Sequence, residues 1–139
     1  MYASTIGGTV GEVNYKANAV RRTFPVGGLA QGIAVSDDGA ELYVAIESMN
    51  ELQIWSLATA TRDTAIALAS APFDVQLSPD GTEIWISALG PGRIYALSRA
   101  TRVVLNSIDT GEAPRRMAFD RFGTTAVIAD EAGFVQFIR

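Results

Sequence analysis

The sequence contains no cysteine and no histidine, and these two absences exclude several kinds of chemistry. Without cysteine the chain forms no disulfide bond and offers no thiolate as a nucleophile or metal ligand. Without histidine it has no imidazole base and no histidine ligand for zinc or haem. We therefore expect no metal and no cofactor. An enzymatic role stays uncertain, and a non-catalytic role is favoured.

Charge is also scarce, since only 19% of the 139 residues are charged and fifteen acidic residues face eleven basic ones. The net charge of −4 gives no general attraction to nucleic acid or to anionic lipid. The sequence shows no secretory leader and no apolar run long enough for a membrane helix. We expect neither a nucleic-acid partner nor membrane insertion, and these features leave the cellular compartment open.

Internal repetition is the most prominent feature that the sequence does have. The turn at 36–39 (Ser-Asp-Asp-Gly) returns at 78–81 and, more loosely, at 120–123, so that its glycines are 42 residues apart. The apolar segments after the turn, such as Leu42–Val44 and Ile84–Ile86, keep the same spacing. A period that is maintained over three units indicates a repeat architecture.

Each repeat unit is predicted to contain four β-strands. In the first complete unit these are 32–36, 42–46, 52–57 and 63–68, separated by polar turns. The second of them is apolar throughout, which is typical of a strand that is covered on both faces. Four short antiparallel strands in about 42 residues are typical of a β-propeller blade. The alternative is a β-sandwich with accidental repeats, but a sandwich fold does not require a 42-residue period.

Four segments carry a resemblance to a known family: Gly8–Val13, Pro25–Gly27, Gly32–Gly39 and Leu42–Ala45. Together they resemble the YVTN-type β-propeller repeat, a WD40-like repeat of surface-layer and lactonase-like proteins. The resemblance extends over nearly the whole chain and rests on turn glycines and core positions. It implies an all-β propeller fold and a periplasmic or cell-surface location.

The period divides residues 1–139, taken as one all-β domain, into four parts. A blade remnant occupies 1–27, complete blades occupy 28–69 and 70–111, and an incomplete blade occupies 112–139. If strands are lettered A (inner) to D (outer), the first part lacks strand A and the last part lacks strand D. Known propellers close with four or more blades, so we expect an open arc.

An open arc leaves an apolar blade face uncovered at each end, and uncovered apolar patches favour association. We therefore predict that the chain completes its ring by self-association through its terminal blade faces, most simply as a homodimer of two half-rings. The alternative is that the sequence is a fragment of a larger propeller. The sequence can be a fragment of a larger propeller and can also self-associate.

Polar residues near the expected mouth of the central channel are the candidate ligand-binding residues. They are Gln31, Glu47, Glu51, Asp74, Arg115 and Arg116. Arginine side chains recognise carboxylate groups with two parallel hydrogen bonds, so an anionic or sugar-like ligand is expected. The structural alternative is that Asp74 and Arg116, which are 42 residues apart, form an ion pair between adjacent blades.

Two further groups of residues are expected to be structural. Because the aspartates of the turns lie on separate blades, they are expected to stabilise their own turns and not to share a calcium ion. These aspartates are Asp37, Asp38, Asp80 and Asp120. Large aromatic residues within strands are expected to pack between blades. These are Trp55, Trp85 and Tyr95.

The sequence has no nucleophile elbow, no P-loop and no dinucleotide-binding fingerprint. We therefore expect a non-catalytic interaction or scaffold module that completes its ring by self-association and has a small-ligand mouth at its channel. The alternative is a lactonase-like hydrolase whose site forms only in the closed ring.

Overall fold

The computed structural model describes residues 1–69 and 71–139, whose regular elements are β-strands and one short 3-10 turn at Glu47–Met49. The strands of blade 1 are β1 Tyr2–Thr5, β2 Thr9–Asn14 and β3 Ala19–Phe24. Those of blade 2 are β4 Ala30–Val35, β5 Glu41–Ile46, β6 Glu51–Ser56 and β7 Thr61–Ala67. Those of blade 3 are β8 Pro72–Leu77, β9 Glu83–Ala88, β10 Arg93–Ser98 and β11 Val104–Asp109. Those of blade 4 are β12 Pro114–Phe119, β13 Ala126–Asp130 and β14 Val135–Ile138.

Each blade is an antiparallel sheet in which the strands follow one another in sequence order. The inner strand β8 is largely buried, whereas the outer strands β3, β7 and β11 are mostly exposed. The first and last sheets have three strands and the two middle sheets have four. The predicted all-β arc of two complete and two incomplete blades is therefore confirmed.

The hairpin between strands A and B is held by an aspartate in each of the last three blades. In blade 2, Asp38 Oδ1 accepts hydrogen bonds from Ser36 Oγ over 2.6 Å and from the Ala40 amide over 3.0 Å. Asp80 makes the same two bonds in its own hairpin. Asp120 stands at the position of Ser78 in the repeat, and its Oδ1 accepts a hydrogen bond from the Thr124 amide over 2.9 Å. Because a side chain that satisfies nearby backbone donors stabilises a turn, the expected role of these three aspartates is confirmed.

The core of the protein lies between blades. We call the side of a blade that is turned toward the following blade its forward face, and the opposite side its backward face. Between blades 2 and 3, Leu52 and Ile54 of the forward face pack with Ile84 and Ile86 of the backward face, all fully buried. Since each sheet covers its neighbour, the middle strands are apolar on both faces.

Aromatic residues connect the blades, as expected. The ring of Trp55 in blade 2 meets Phe24 of blade 1 edge-on at 5.9 Å, and Trp85 of blade 3 meets Phe119 of blade 4 at 5.2 Å. Tyr95 is buried in the core between blades 2 and 3. Edge-to-face contacts of this kind add stabilisation beyond the burial of apolar area.

Two blade faces stay uncovered within the described residues: the backward face of blade 1 and the forward face of blade 4. These are the two ends of the arc. No described helix has the length and apolar character needed to cross a lipid bilayer.

Candidate functional site

The predicted mouth residues lie at the end of the blades where the inner strands begin, which we call the mouth end. In blade 2, Gln31 of β4 donates a hydrogen bond from Nε2 to Oε2 of Glu47 over 2.5 Å. Glu51 was expected in the same loop as Glu47, but it is the first residue of β6. Its Oε1 accepts a hydrogen bond from Gln53 Nε2 over 2.7 Å. The two glutamates therefore accept hydrogen bonds from different glutamine side chains.

Asp74 of β8 joins the inner strands of blades 3 and 4. Its carboxylate is almost fully buried, and Oδ2 accepts a hydrogen bond from the Met117 amide over 2.9 Å. Its Oδ1 lies 3.3 Å from Nη1 of Arg116, so the structure contains the inter-blade ion pair. Both carboxylate oxygens therefore accept a hydrogen bond from blade 4.

Arg115 and Arg116 both lie close to one aromatic ring, that of Phe73. Their guanidinium carbons lie 4.5 Å and 5.1 Å from the centre of the Phe73 ring, which is itself buried. Arg115 also forms an ion pair with Glu131. Cation–π contacts hold both guanidinium groups at the mouth end with part of their surface open to solvent. Each guanidinium group is also paired with an acid, Arg115 with Glu131 and Arg116 with Asp74.

A second polar cluster lies at the opposite end of the blades, where strands A and B form their hairpins. Glu41 Oε2 accepts hydrogen bonds from Tyr43 Oη over 2.5 Å and from Arg99 Nε over 2.9 Å. Its Oε1 pairs with Arg102, and Asp38 Oδ2 accepts a bond from Arg99 Nη2 over 2.8 Å. Because the arginines belong to blade 3 and the acids to blade 2, we call these five residues the inter-blade clamp.

The hydrogen bonds of the clamp control its protonation states. Burial alone would raise the pKa of Glu41, but bonds from Tyr43, Arg99 and Arg102 hold that pKa below its ordinary value. Bonds from Ser36 and Arg99 lower the pKa of Asp38. Burial raises the pKa of Tyr43, so its hydroxyl keeps the proton that it donates.

We expect Glu41→Gln to lower the free energy of unfolding at pH 7 by about 2 kcal/mol, because it removes charge-assisted hydrogen bonds. The folded pKa of Glu41 lies below its unfolded pKa, so its contribution is present above the unfolded pKa and is lost as the pH falls. The difference between variant and wild type should therefore shrink progressively as the pH falls below the unfolded pKa of glutamate. Urea unfolding of both proteins at several pH values measures this difference in the free energy of unfolding.

The control for this prediction is Asp37→Asn, which changes an exposed acid in the same hairpin. It is expected to leave stability within about 0.5 kcal/mol of wild type. A Glu41→Gln deficit that stays constant down to the lowest pH would contradict the assigned role of the carboxylate.

The clamp is not among the residues predicted from the sequence. Its signal is the segment Arg99–Arg102, which matches Thr59–Arg62 in the preceding blade but begins with arginine instead of threonine. The sequence identifies this segment as a turn. It does not show that the turn reaches Asp38 and Glu41, which lie about 60 residues earlier in the chain.

A cavity of about 470 Å³ opens beside the clamp, with Glu41, Ser98, Arg99 and Arg102 in its wall. Acidic and basic groups both line it, and they largely neutralise each other. In residues 1–69 and 71–139, no group of three or more acidic side chains is placed to hold a metal ion.

No protein-family model matches the sequence. No curated protein matches it either. Among solved structures, hydrazine synthase of Kuenenia stuttgartiensis superposes with a TM-score of 0.90 over 99% of this chain, at 24% identity. A chain of a mitotic checkpoint complex superposes with a TM-score of 0.87 over 98% of this chain, at 15% identity.

Both matched chains contain β-propellers, and the likeness shows the fold of this chain as a partial, WD40-like propeller. The chain spans less than half the length of either match, 42% of the first and 44% of the second. At these identities the comparison shows the fold alone.

Proposed function

We propose that this chain is a non-catalytic interaction module that completes a propeller ring by pairing with a second copy of itself. The observation that carries the proposal is the forward face of blade 4, whose apolar side chains are exposed at positions that are buried elsewhere in the arc. The match to propeller-containing chains more than twice as long supports it, because this chain spans less than half of each of them.

The forward face of blade 4 repeats the register of a buried face. In blade 2, Leu52 pairs with Ala45 and Ile54 pairs with Tyr43, and both apolar side chains are fully buried against blade 3. At the corresponding positions of blade 4, Val135 pairs with Ala129 and Phe137 pairs with Val127. The side chains of Val135 and Phe137 are 55% and 65% exposed. The same pattern of large apolar residues is present, and the covering blade is missing.

The backward face of blade 1 is the surface that a second copy would present. On this face Ala3 of β1 pairs with Gly11 of β2, and Gly11 pairs in turn with Thr23 of β3. The next pair of residues on the same face is Thr5 and Thr9. These residues are small, so the surface offers room for the aromatic and branched side chains of blade 4. Inside the arc every forward face meets a backward face, and two copies placed head to tail would repeat this arrangement twice.

The energy of covering such a face is large enough to hold a dimer. Burial of about 400 Å² of apolar surface at about 25 cal/mol per Å² contributes on the order of 10 kcal/mol. A ring of two copies contains two interfaces, and each interface covers two faces, so about 1,600 Å² is buried in total, which is the size of a stable complex. A second copy is therefore a sufficient partner for both uncovered ends.

We expect the protein to sediment or scatter light as a species of twice 14.8 kDa, and Phe137→Asp to convert it to a monomer. A charge at this position would be buried without a partner in the closed ring. The matched control is Leu105→Asp, which alters a residue of similar exposure on the outer strand β11 and should leave the dimer intact. A wild-type protein that stays at 14.8 kDa at all concentrations would overturn self-association and would favour further blades of a longer chain as the covering element.

Two finer assignments belong to the same proposal. We infer that the repeat is of the YVTN type, with the periplasmic or cell-surface location that this implies, supported by the repeated turns at 36–39 and 78–81. We also infer that Arg115 and Arg116 contribute to a mouth for a carboxylate-bearing ligand, supported by their placement over Phe73.

A further inference from the structure

The arginines of the inter-blade clamp occupy positions that are apolar in the preceding blade. When the two turns are aligned by the strands before them, β6 and β10, Leu57 and Ala60 stand at the positions of Arg99 and Arg102. The backbone agrees with this alignment, since Ala60 and Arg102 both have a left-handed φ, of 57° and 63°. Leu57 is buried in the core between blades 1 and 2, and Ala60 packs against the same core. An apolar contact at one interface is thus replaced by two charges at the next.

The two arginines carry more hydrogen-bond donors than the acids of the clamp use. A guanidinium group has five N–H donors and no acceptor. Arg102 bonds to Glu41 through Nη2, whereas its Nη1 is buried and has no hydrogen-bond partner in residues 1–69 and 71–139. A buried N–H without an acceptor is costly, so such an atom is a natural contact for a ligand.

The ion pairs of the clamp alternate in sign and end on an arginine. Arg99 pairs with Asp38 and with Glu41. Glu41 pairs in turn with Arg102, so that both of its carboxylate oxygens accept bonds from guanidinium groups. One further acid would continue the alternation at Arg102. Because two acids already balance two arginines, the clamp suits a ligand with one negative charge better than a ligand with two.

The cavity of about 470 Å³ beside the clamp gives a ligand room next to these donors. Its wall contains Arg99 and Arg102, and also the small residues Gly81 and Ala100. The aliphatic stems of arginine side chains cover apolar groups well, so this wall suits a short apolar body as well as a charge. The cavity is formed by blades 2 and 3, in the middle of the arc, and involves neither of its ends.

We propose that this cavity binds a small monocarboxylate, with the carboxylate on Arg102 and the apolar body along the arginine stems. A hydrogen bond between a guanidinium and a carboxylate is about twice as strong as one between neutral groups, which favours an acid over a neutral acceptor. A cationic ligand would meet two guanidinium groups and is disfavoured. The site lies at the opposite end of the blades from the mouth, and it depends neither on ring closure nor on a ligand at the mouth.

The proposal is tested by titrating the whole chain with butyrate at constant ionic strength while the backbone amide signals are followed by NMR. The amides of Gly81, Thr82 and Ala100 should shift in a saturable way, with a dissociation constant in the millimolar range because so small a ligand binds weakly. The amides of Phe73 and Arg115, at the mouth end, should not follow the same curve. Butyramide has the shape of butyrate without its charge, and it should bind about tenfold more weakly.

Ala100→Glu tests the location, because it adds a negative charge to the cavity wall at an exposed turn residue. It should weaken butyrate binding about tenfold through repulsion between like charges. The matched control is Ala58→Glu, which adds the same charge 42 residues earlier, at an exposed residue of the turn in blade 2 that does not line the cavity. This control should bind butyrate as the wild type does.

Arg102→Gln removes the proposed contact itself and should abolish saturable binding, while the dispersion of its amide signals shows whether the variant is folded. Wild-type affinity for butyrate in Ala100→Glu would overturn the assignment, as would equal binding of butyrate and butyramide. Saturable shifts confined to the mouth end would also overturn it and would favour Arg115 and Arg116 as the carboxylate site.

Discussion

Replacing Gly32 with alanine is expected to lower the free energy of unfolding by about 3 kcal/mol or more, enough to prevent stable folding of a small domain. A Cβ at this position would lie 2.7 Å from the Cα of Asp74 and from the carbonyl oxygen of Phe73, and 2.8 Å from the amide nitrogen of Val75. All three are backbone atoms of β8, which is paired with β9 and cannot easily move. The inner strands of blades 2 and 3 approach so closely that only glycine has room.

The control is Gly7→Ala, which places the same methyl group in an exposed turn where the nearest atom, Oγ1 of Thr5, is 3.7 Å away. This change should alter stability by less than about 1 kcal/mol. Urea unfolding, monitored by tryptophan fluorescence, measures both variants. A Gly32→Ala protein as stable as Gly7→Ala would show that the approach of the two inner strands is not as tight as described.

Trp55→Ala is expected to destabilise the protein by about 4 kcal/mol. The ring is buried between blades 1 and 2 and meets Phe24, so its loss leaves a cavity at that interface. Its Nε1 also donates to Oε1 of Gln53 over 2.9 Å, and Gln53 is fully buried. The variant thus loses apolar packing and leaves a buried acceptor without its donor.

Trp55→Phe separates these two effects. Phenylalanine keeps most of the apolar volume but cannot donate to Gln53, so about 1–3 kcal/mol of the loss should remain. Val103→Ala, at a residue that is 59% exposed, should change stability by less than about 0.5 kcal/mol. Equal losses for Trp55→Phe and Val103→Ala in urea unfolding would show that the hydrogen bond to Gln53 contributes little.

Much of the fold can be predicted from the sequence because it depends on local patterns. The 42-residue period, the apolar middle strands and the Asp-Gly turns are all visible as short segments at regular spacing. Each of these features acts over a few residues, through strand propensity, turn geometry or alternation. The aromatic strand residues Trp55 and Trp85 could likewise be assigned to the core, because a large aromatic side chain in a strand covered on both faces is buried against the neighbouring sheet.

The polar clusters were less predictable because they depend on distances between blades. The partnership of Asp74 with Arg116 follows from the period, since the two positions are equivalent on adjacent blades. The clamp joins Glu41 to Arg99, and no periodic rule relates those two positions. Glu51, predicted beside Glu47 from sequence proximity, begins a new strand and bonds within it. Nearness in the sequence is a poor guide where a chain reverses direction.

The amino-acid order alone determined that this protein is built from β-strands grouped into blades, because strand and turn formation are decided by neighbouring residues. Only the tertiary structure decided which acid meets which arginine, because Arg99 and Arg102 reach Asp38 and Glu41 across the interface between two sheets. The hairpin of Asp38 can be predicted from adjacent residues, but its bond to Arg99, which lies 61 residues later, cannot.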